Sequence, residues 1–340
     1  MSNFNKEKKA EALVTLGAYM LQPDEQLQQL ILQAKNKNGW FTEREVSNAV
    51  KAVASSLNTE DLAYWLNNYE FNTSAKKIGL VLAGNIPMVG FHDIICVLLA
   101  GHHTLIKLSS QDDMLIPYIL NKLIEIEPEF KSQISFVHRL ENFDAIIATG
   151  SNNTSRYFEY YFSKVPHIIR KNRNSIAVLS GNESETELKA LGKDILDFYG
   201  LGCRNVSKVL VPKDYNFIPF FEAIEEYNTI INHHKYQNNY DYNKSIYLVN
   251  KVEHLDNGFL LLTRNEQLSS PLSVLYFEEY DDLKTAEVYI KEKSEQIQVV
   301  ITHLNLDIPN AKASFGESQQ PKLWDYADGI DTMKFLAALN

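Results

Sequence analysis

The chain has 340 residues, a net charge of −10, 45% hydrophobic residues and 22% charged residues. That is material for one large or two moderate globular domains, and it excludes disorder as the default state. The negative balance, with basic residues scattered, excludes a nucleic-acid or anionic-membrane surface, which needs clustered Lys and Arg.

The opening residues, Met1 to Lys9, lack the apolar core of a signal peptide. Residues 6 to 70 read as helices. Ala10, Leu13, Leu16 and Met20 recur near helical spacing, a second run covers Glu43 to Ser56, and Asn58 caps the helix through Trp65. From Lys76 short apolar runs alternate with helical segments. The expected strands are Ile78 to Ala83, Thr104 to Leu108, Ile134 to Val137, Ala145 to Ala148 and Ser175 to Leu179. The intervening helices are Gly90 to Ala100, Asp113 to Glu127 and Asn152 to Phe162. This alternation indicates βαβ units and a mostly parallel sheet, with ligand sites at the strand carboxyl ends.

The region Ile78 to Leu108 is strongly apolar, but Asn85, Pro87, Asp93, His102 and His103 interrupt it, which argues for a buried strand–helix–strand unit rather than a bilayer span. Beyond Gly181 a helix from Glu183 to Tyr199 leads to a strand at Val206. A helix from Tyr215 to Ile231 follows, then strands at Ser245–Val249, Phe259–Thr263 and Val274–Phe277. A helix from Asp281 to Lys291 and a strand at Gln298–Thr302 complete a second α/β lobe. The expected division is a helical segment 1–75, a first α/β lobe 76–181, a second lobe 182–315 and a tail 316–340. The expected location is the cytoplasm.

Two cysteines, Cys96 and Cys203, occur without CxxC spacing or a Cys/His cluster, so a disulfide framework and a structural zinc site are not expected. The pairs His102-His103 and His233-His234 lack partners at ligand spacing and read as structural. Cys203 stands apart, because Gly200-Leu201-Gly202 precedes it and glycines clear bulk from around a thiol. A lone cysteine is otherwise most often a small buried hydrophobe.

Three strand-to-helix loops offer ligand contacts. In Ala83-Gly84-Asn85-Ile86-Pro87, Asn85 either donates to a developing oxyanion or caps the next helix. In Ile106-Lys107-Leu108-Ser109-Ser110, Lys107 either points at a ribose or phosphate or ends its strand in solvent. In Thr149-Gly150-Ser151, the small residues opening a helix suit a pyrophosphate, although neither GxGxxG nor GxxxxGK[ST] is present. The basic run Arg170-Lys171-Asn172-Arg173 suits either a phosphate-bearing ligand or a solvated turn.

In their order along the chain these loops resemble those of the aldehyde dehydrogenase superfamily, and more narrowly the LuxC-type acyl-CoA reductases. The resemblance runs from about Ile78 to the C-terminus, through Ser269-Ser270-Pro271-Leu272-Ser273-Val274 and Gly316-Glu317-Ser318-Gln319-Gln320. It implies an aldehyde-dehydrogenase-like α/β fold, with a Rossmann-like cofactor lobe and an α/β catalytic lobe behind N-terminal helices. It also implies a thiol nucleophile in the cleft between the lobes. Cys203 matches the nucleophile, Asn85 the oxyanion amide, and Lys107 the lysine near the adenosine ribose. Gly150 and Ser151 match the loop beside the cofactor phosphates.

Two departures refine what the resemblance implies. Hydrolytic relatives activate water with a glutamate in a Glu-Leu-Gly-Gly motif, whereas Asn172-Arg173-Asn174-Ser175-Ile176-Ala177 has no carboxylate. That suits exchange with CoA rather than release of a free acid. NAD-preferring relatives place a glutamate a few residues after the lysine; Ser109 and Ser110 stand here, which points to NADPH, with Asp112 and Asp113 close by. The expected reaction is reduction of an acyl thioester, an acyl-CoA of fatty type, to an aldehyde through an acyl-cysteine. The alternatives are a silent acyl- or nucleotide-binding subunit of a larger complex, and a reductase fed by an acyl-protein synthetase partner. The N-terminal helices do not match the superfamily's usual start, which leaves the homo-oligomeric state open.

Overall fold

The computed structural model describes residues 3–71 and 74–339; Met1 and Ser2, the start of the stretch read above for a signal peptide, lie outside them. The chain forms two compact units. One comprises Met1–Asn172 with Gln320–Asn340, and the other Arg173–Gln319. The boundary expected near Gly181 therefore falls inside the second unit. The N-terminal helices and the last residues of the tail belong with the first.

The first unit opens with helices α1 (Asn3–Leu21), α2 (Glu25–Gln33), α3 (Glu43–Ser56) and α4 (Thr59–Leu66). Asp24 and Asn58 cap α2 and α4 by accepting from the amides of Leu27 and Asp61. There follow β1 (Lys77–Val81), α5 (Phe91–Leu99), β2 (His103–Lys107), α6 (Leu115–Ile126), β3 (Ile134–Phe136), β4 (Ala145–Thr149), α7 (Asn152–Phe162) and β5 (His167–Arg170). The strands form a parallel sheet in the order β3-β2-β1-β4-β5. The order reverses between β1 and β4, the topological switch where such sheets bind ligands beyond the strand carboxyl ends.

Helix α5 is apolar almost throughout because it is buried on nearly every side, from Phe91 to Leu99. Each such aliphatic or aromatic side chain contributes about 1.5–3 kcal/mol of burial. Helix α1 lies against α3, α4, α5 and α6, and its buried Lys9 donates to the carbonyl of Leu98 at 2.8 Å. Those contacts make the N-terminal helices part of this unit's core.

The returning tail is tied in by polar groups. Arg170, on β5, makes a buried two-pronged ion pair with Asp93 of α5, at 2.7 and 3.1 Å. It also donates to the carbonyl of Ala327 and the hydroxyl of Thr332, at 2.6 and 2.8 Å. Burial drives the Asp93 carboxyl up, but the guanidinium and its hydrogen bonds outweigh that and hold it below its usual range. Arg170 is thus structural rather than a ligand's phosphate contact, and the exposed Lys171 pairs with Glu159 at 2.6 Å. His102 is buried as well. Its Nδ1 accepts from the amide of Lys76 at 3.2 Å, and its Nε2 faces the carbonyl of Leu336 at 3.1 Å. That geometry needs the neutral ring protonated on Nε2.

The second unit contains β6 (Asn174–Val178), α8 (Glu185–Leu196), β7 (Val206–Pro212), α9 (Ile218–Ala223), α10 (His234–Asn250), β8 (Leu255–Asp256), β9 (Leu261–Arg264), β10 (Val274–Tyr280), α11 (Leu283–Glu292), β11 (Ile297–Ile301) and β12 (Lys312–Ala313). Its sheet runs β12-β11-β6-β7-β10-β9-β8, parallel except for the edge pair β8–β9. A capping box of Ser184 and Glu187 starts α8.

Two expectations fail in this unit. The stretch Ser245–Val249 is not a strand but the end of α10. Tyr236, Tyr240, Asn243 and Tyr247 recur at helical spacing and are buried, while Leu248 and the β-branched Val249 are exposed. The helix expected from Tyr215 to Ile231 is the short α9 followed by a 3₁₀ segment, Glu225–Asn232. Among the described residues, no helix is long and apolar enough to cross a membrane, and no cluster of three or more His, Cys, Asp or Glu could hold a metal.

Candidate active site

In the first unit the carboxyl ends of β1, β2, β3 and β4 open into one cleft of about 1070 Å³. Lys107, Ser109, Ser110 and Gly150 line it, as expected from their strand-end positions. Asn85 and Ser151 are not among its lining residues. Asn85 is exposed on the adjoining loop after β1, and Ser151 is the N-cap of α7, its Oγ accepting from the Thr154 amide at 3.2 Å.

The cleft walls are close-fitting because two glycines allow it. A Cβ on Gly84 would stand 2.5 Å from Ser109 Oγ and 2.9 Å from Ser109 Cβ, so the β1 and β2 loops meet only across a bare backbone. A Cβ on Gly150 would stand 2.9 Å from Phe158 and 3.1 Å from Thr154 at the mouth of α7. Gly150 leads from the cleft into the N-terminal turn of α7, where Ser151 takes the Thr154 amide. Phe143, Phe158, Tyr161 and Phe162 supply an apolar wall suited to a planar base.

The charges around the cleft were only partly foreseen. Asp112 does not line it. That carboxyl is buried and accepts the Met88 amide at 2.9 Å, which pins the loop bearing Asn85 in a turn where Met88 has φ 65°. Burial pushes it up to about 6, with Asp113 adding to the shift and the Met88 amide opposing it. Asp113 does line the cleft, paired with Lys37 at 3.1 Å, and His138 and Arg139 line it beside Lys107. Nothing in the spacing of the residues after β3 marks His138 or Arg139 as cleft residues.

In the second unit the two cysteines' contrast is resolved. Cys203 is exposed, whereas Cys96 of the first unit is fully buried in α5, where desolvation pushes its thiol well up. The loop presenting Cys203 departs from the helix expected through Tyr199. After α8 ends at Leu196, Phe198, Tyr199 and Gly200 take successive left-handed conformations, at φ 52°, 57° and 77°. For the two non-glycine residues this costs about 1–2 kcal/mol each. The surroundings must therefore hold the turn.

They do so through two buried polar side chains. Asn205 accepts the Gly202 amide at 2.8 Å and donates to the carbonyls of Asp197 and Asp194, at 2.7 and 3.1 Å. Ser175, fully buried on β6, donates its hydroxyl to the Cys203 carbonyl at 2.9 Å. Asp194, on the last turn of α8, accepts the amides of Gly316 and Ser318 at 2.6 and 3.0 Å, tying the Gly316-Glu317-Ser318 loop to the same helix end. Burial pushes its carboxyl up to about 6 against those hydrogen bonds. The glycines announced the thiol loop; the side chains that brace it gave no such signal.

The fold has known counterparts. An aldehyde dehydrogenase 21 from Physcomitrella patens, solved with succinate, superposes with a TM-score of 0.69 at 11% identity, over 98% of this chain and 84% of that one. A putative aldehyde dehydrogenase from Burkholderia cenocepacia gives 0.66 at 14% identity, over 89% and 75%. One from Mycobacterium tuberculosis, complexed with NAD+, gives 0.64 at 12% identity, over 91% and 77%. No curated protein matches the sequence. These likenesses establish an aldehyde-dehydrogenase-like fold. The sequence itself matches the profile of the acyl-CoA reductases over residues 2–222, a span that includes both cleft loops and the Cys203 loop, and the chain belongs to the acyl-CoA reductase (LuxC) family.

Proposed function

We propose that this protein reduces an acyl-CoA, of fatty type, to the aldehyde with NADPH, through an acyl-cysteine on Cys203. The observation that carries the reading is the contrast between the thiols. Cys96 is sealed in the core, while Cys203 is exposed on a glycine-flanked turn braced from behind. The Cys203 thiolate attacks the thioester carbonyl, and the Asn85 amide and the Cys203 backbone N–H hold the oxyanion. Collapse of the tetrahedral adduct expels CoA as its thiolate and leaves the acyl group on Cys203. A bound dinucleotide would supply the hydride, whose addition to the acyl carbonyl carbon gives the thiohemiacetal as its alkoxide. Collapse of the thiohemiacetal then releases aldehyde and returns Cys203 to the thiolate.

Lys107, Ser109 and Ser110 are assigned to the adenosine ribose, and Gly150 with Ser151 to the phosphates. Three observations support NADPH over NADH. Asp112 is turned away to Met88, Asp113 is paired with Lys37, and Lys107, His138 and Arg139 line the same cleft, with Arg139 in an exposed ion pair with Glu141 at 3.4 Å. The test is NADPH oxidation with a panel of acyl-CoAs, with intact-protein mass recorded in the absence of cofactor. The expected result is turnover together with an acyl adduct lost in Cys203→Ala. Wild-type rates in Cys203→Ala would refute the assignment. An adduct from an acyl-protein donor but from no acyl-CoA would move the donor to a synthetase partner.

A further inference from the structure

We infer that Asn205 is the positioning residue of the thiol loop: its side-chain amide clamps the left-handed turn that sets where Cys203 stands. The inference rests on the reading of Cys203 as nucleophile and assigns a second residue to that site. Asn205 uses both ends of its amide. Oδ1 takes the Gly202 N–H at 2.8 Å, and Nδ2 gives to the Asp197 carbonyl at 2.7 Å and the Asp194 carbonyl at 3.1 Å. Its own backbone N–H returns to the Gly202 carbonyl at 3.0 Å, so the residues on either side of the Cys203-Arg204 pair are locked together.

The bonds span the whole strained segment. Asp194 and Asp197 lie before the left-handed residues Phe198, Tyr199 and Gly200, and Gly202 lies after them. Asn205 is 3% exposed, so water does not stand ready to replace these contacts. Only a side chain that accepts on one arm and donates on the other satisfies all three partners. An aspartate keeps the Gly202 contact but has no proton for the carbonyls unless it is protonated. An alanine keeps neither.

That difference supplies the test. Asn205→Ala and Asn205→Asp are compared with wild type in three measurements: alkylation of Cys203 by iodoacetamide, acyl-cysteine formation from acyl-CoA in a single turnover, and NADPH affinity by fluorescence titration. Cys96, buried, serves as the unreactive internal control. Acylation in Asn205→Ala is expected to fall at least thirtyfold, with NADPH affinity within twofold of wild type. In Asn205→Asp the rate of Cys203 alkylation, divided by that of wild type, is expected to rise as pH falls from 8 to 5, because the protonated carboxyl regains a donor. Division by wild type removes the pH dependence that the two proteins share, and the ultraviolet thiolate absorbance of each protein corrects the ratio for any difference in thiolate fraction that the new carboxylate causes.

A helix cap that merely added stability would shift melting and leave these ratios flat. Acylation of folded Asn205→Ala within threefold of wild type would overturn the inference, as would a flat ratio near one in Asn205→Asp. If Asn205→Ala does not fold, the pH ratio of Asn205→Asp decides alone. Should wild-type Cys203 take no acyl group, the proposed reaction falls, and the alkylation ratios still decide whether Asn205 places the thiol.

Discussion

Gly84→Ala isolates a steric claim about the loops bordering the cleft that is proposed for the cofactor. Gly84 needs no left-handed φ, so alanine carries no backbone penalty there, and the effect is confined to the added methyl. That methyl would lie 2.5 Å from Ser109 Oγ, 2.9 Å from Ser109 Cβ and 3.1 Å from Gln111 Cβ. Ordinary contact lies at about 3.5–4.0 Å, so the Ser109 loop must retreat by roughly 1 Å. Overpacking of this kind costs about 1–3 kcal/mol. If the strain is relieved when the loop moves and returns when the loop closes on cofactor, it appears in binding as roughly fivefold to 150-fold weaker affinity. NADPH fluorescence titration reads this directly, with the melting temperature recorded alongside. Ser109→Gly removes both of the closest clashing atoms but also a side chain assigned to the ribose, so the comparison is a double-mutant cycle: Gly84→Ala should cost less affinity in the Ser109→Gly background than in wild type. A single variant within twofold of wild type, or an effect of Gly84→Ala as large in the Ser109→Gly background as in wild type, would refute the close-packed cradle.

Other expectations concern the groups that support this frame. Arg170→Met leaves Asp93 buried and unpaired and should cost about 3–5 kcal/mol. Urea unfolding followed by tryptophan fluorescence checks it, since all three tryptophans (Trp40, Trp65 and Trp324) lie in the first unit; a loss below about 1 kcal/mol would count against the bridge. Because the Asp93 carboxyl is held below its ordinary 3.8, the wild-type contribution is present above that value and lost as pH falls through the folded one. Asp112 has the opposite sign. Raised from 3.8 to about 6, it favours the folded state fully below pH 3.8, and that contribution is lost as pH rises through about 6. It amounts to about 3 kcal/mol at most. Asp112→Asn should flatten the stability profile between pH 4 and 6, and an unchanged slope would contradict the shift. Arg139→Ala should weaken NADPH roughly threefold to tenfold at low salt while leaving NADH unchanged; equal losses for both would remove Arg139 from the 2′-phosphate.

Much of the fold was legible because burial on both faces writes itself as continuous apolar runs. Strands β1, β4 and β11 and helix α5 carry that signature, and α7 is found at its expected bounds because Ser151 is its cap. Strand β5 was missed. Only four residues long, it ends in Arg170, whose charge reads as solvated until Asp93 is seen beside it. Helix α10 reads in part as a strand because Ile246, Tyr247 and Val249 favour strands locally, while the burial of Tyr240, Asn243 and Tyr247 at helical spacing fits the helix. Cleft residues at strand ends were legible for the same topological reason that places ligands there. His138 and Arg139, which follow β3, carry no signal of their own, and Asp113 is visible as a nearby carboxylate while its pairing with Lys37 is not.

The thiol loop shows where pattern stops and chemistry continues. Gly200 and Gly202 announce a turn, but the turn's shape is maintained by hydrogen bonds from Asn205 to carbonyls eight and eleven positions earlier, a relation no periodicity encodes. Ser175 extends the same logic across strands. The resemblance sets it in the stretch where hydrolytic relatives carry their glutamate, and here the buried Ser175 donates its hydroxyl to the Cys203 carbonyl. A buried hydroxyl so engaged braces the loop and offers no base to water. The residue types at this position therefore act on the backbone of the thiol loop rather than on a water molecule. The acyl-cysteine proposed above, which must persist until it is reduced, would be served by that arrangement.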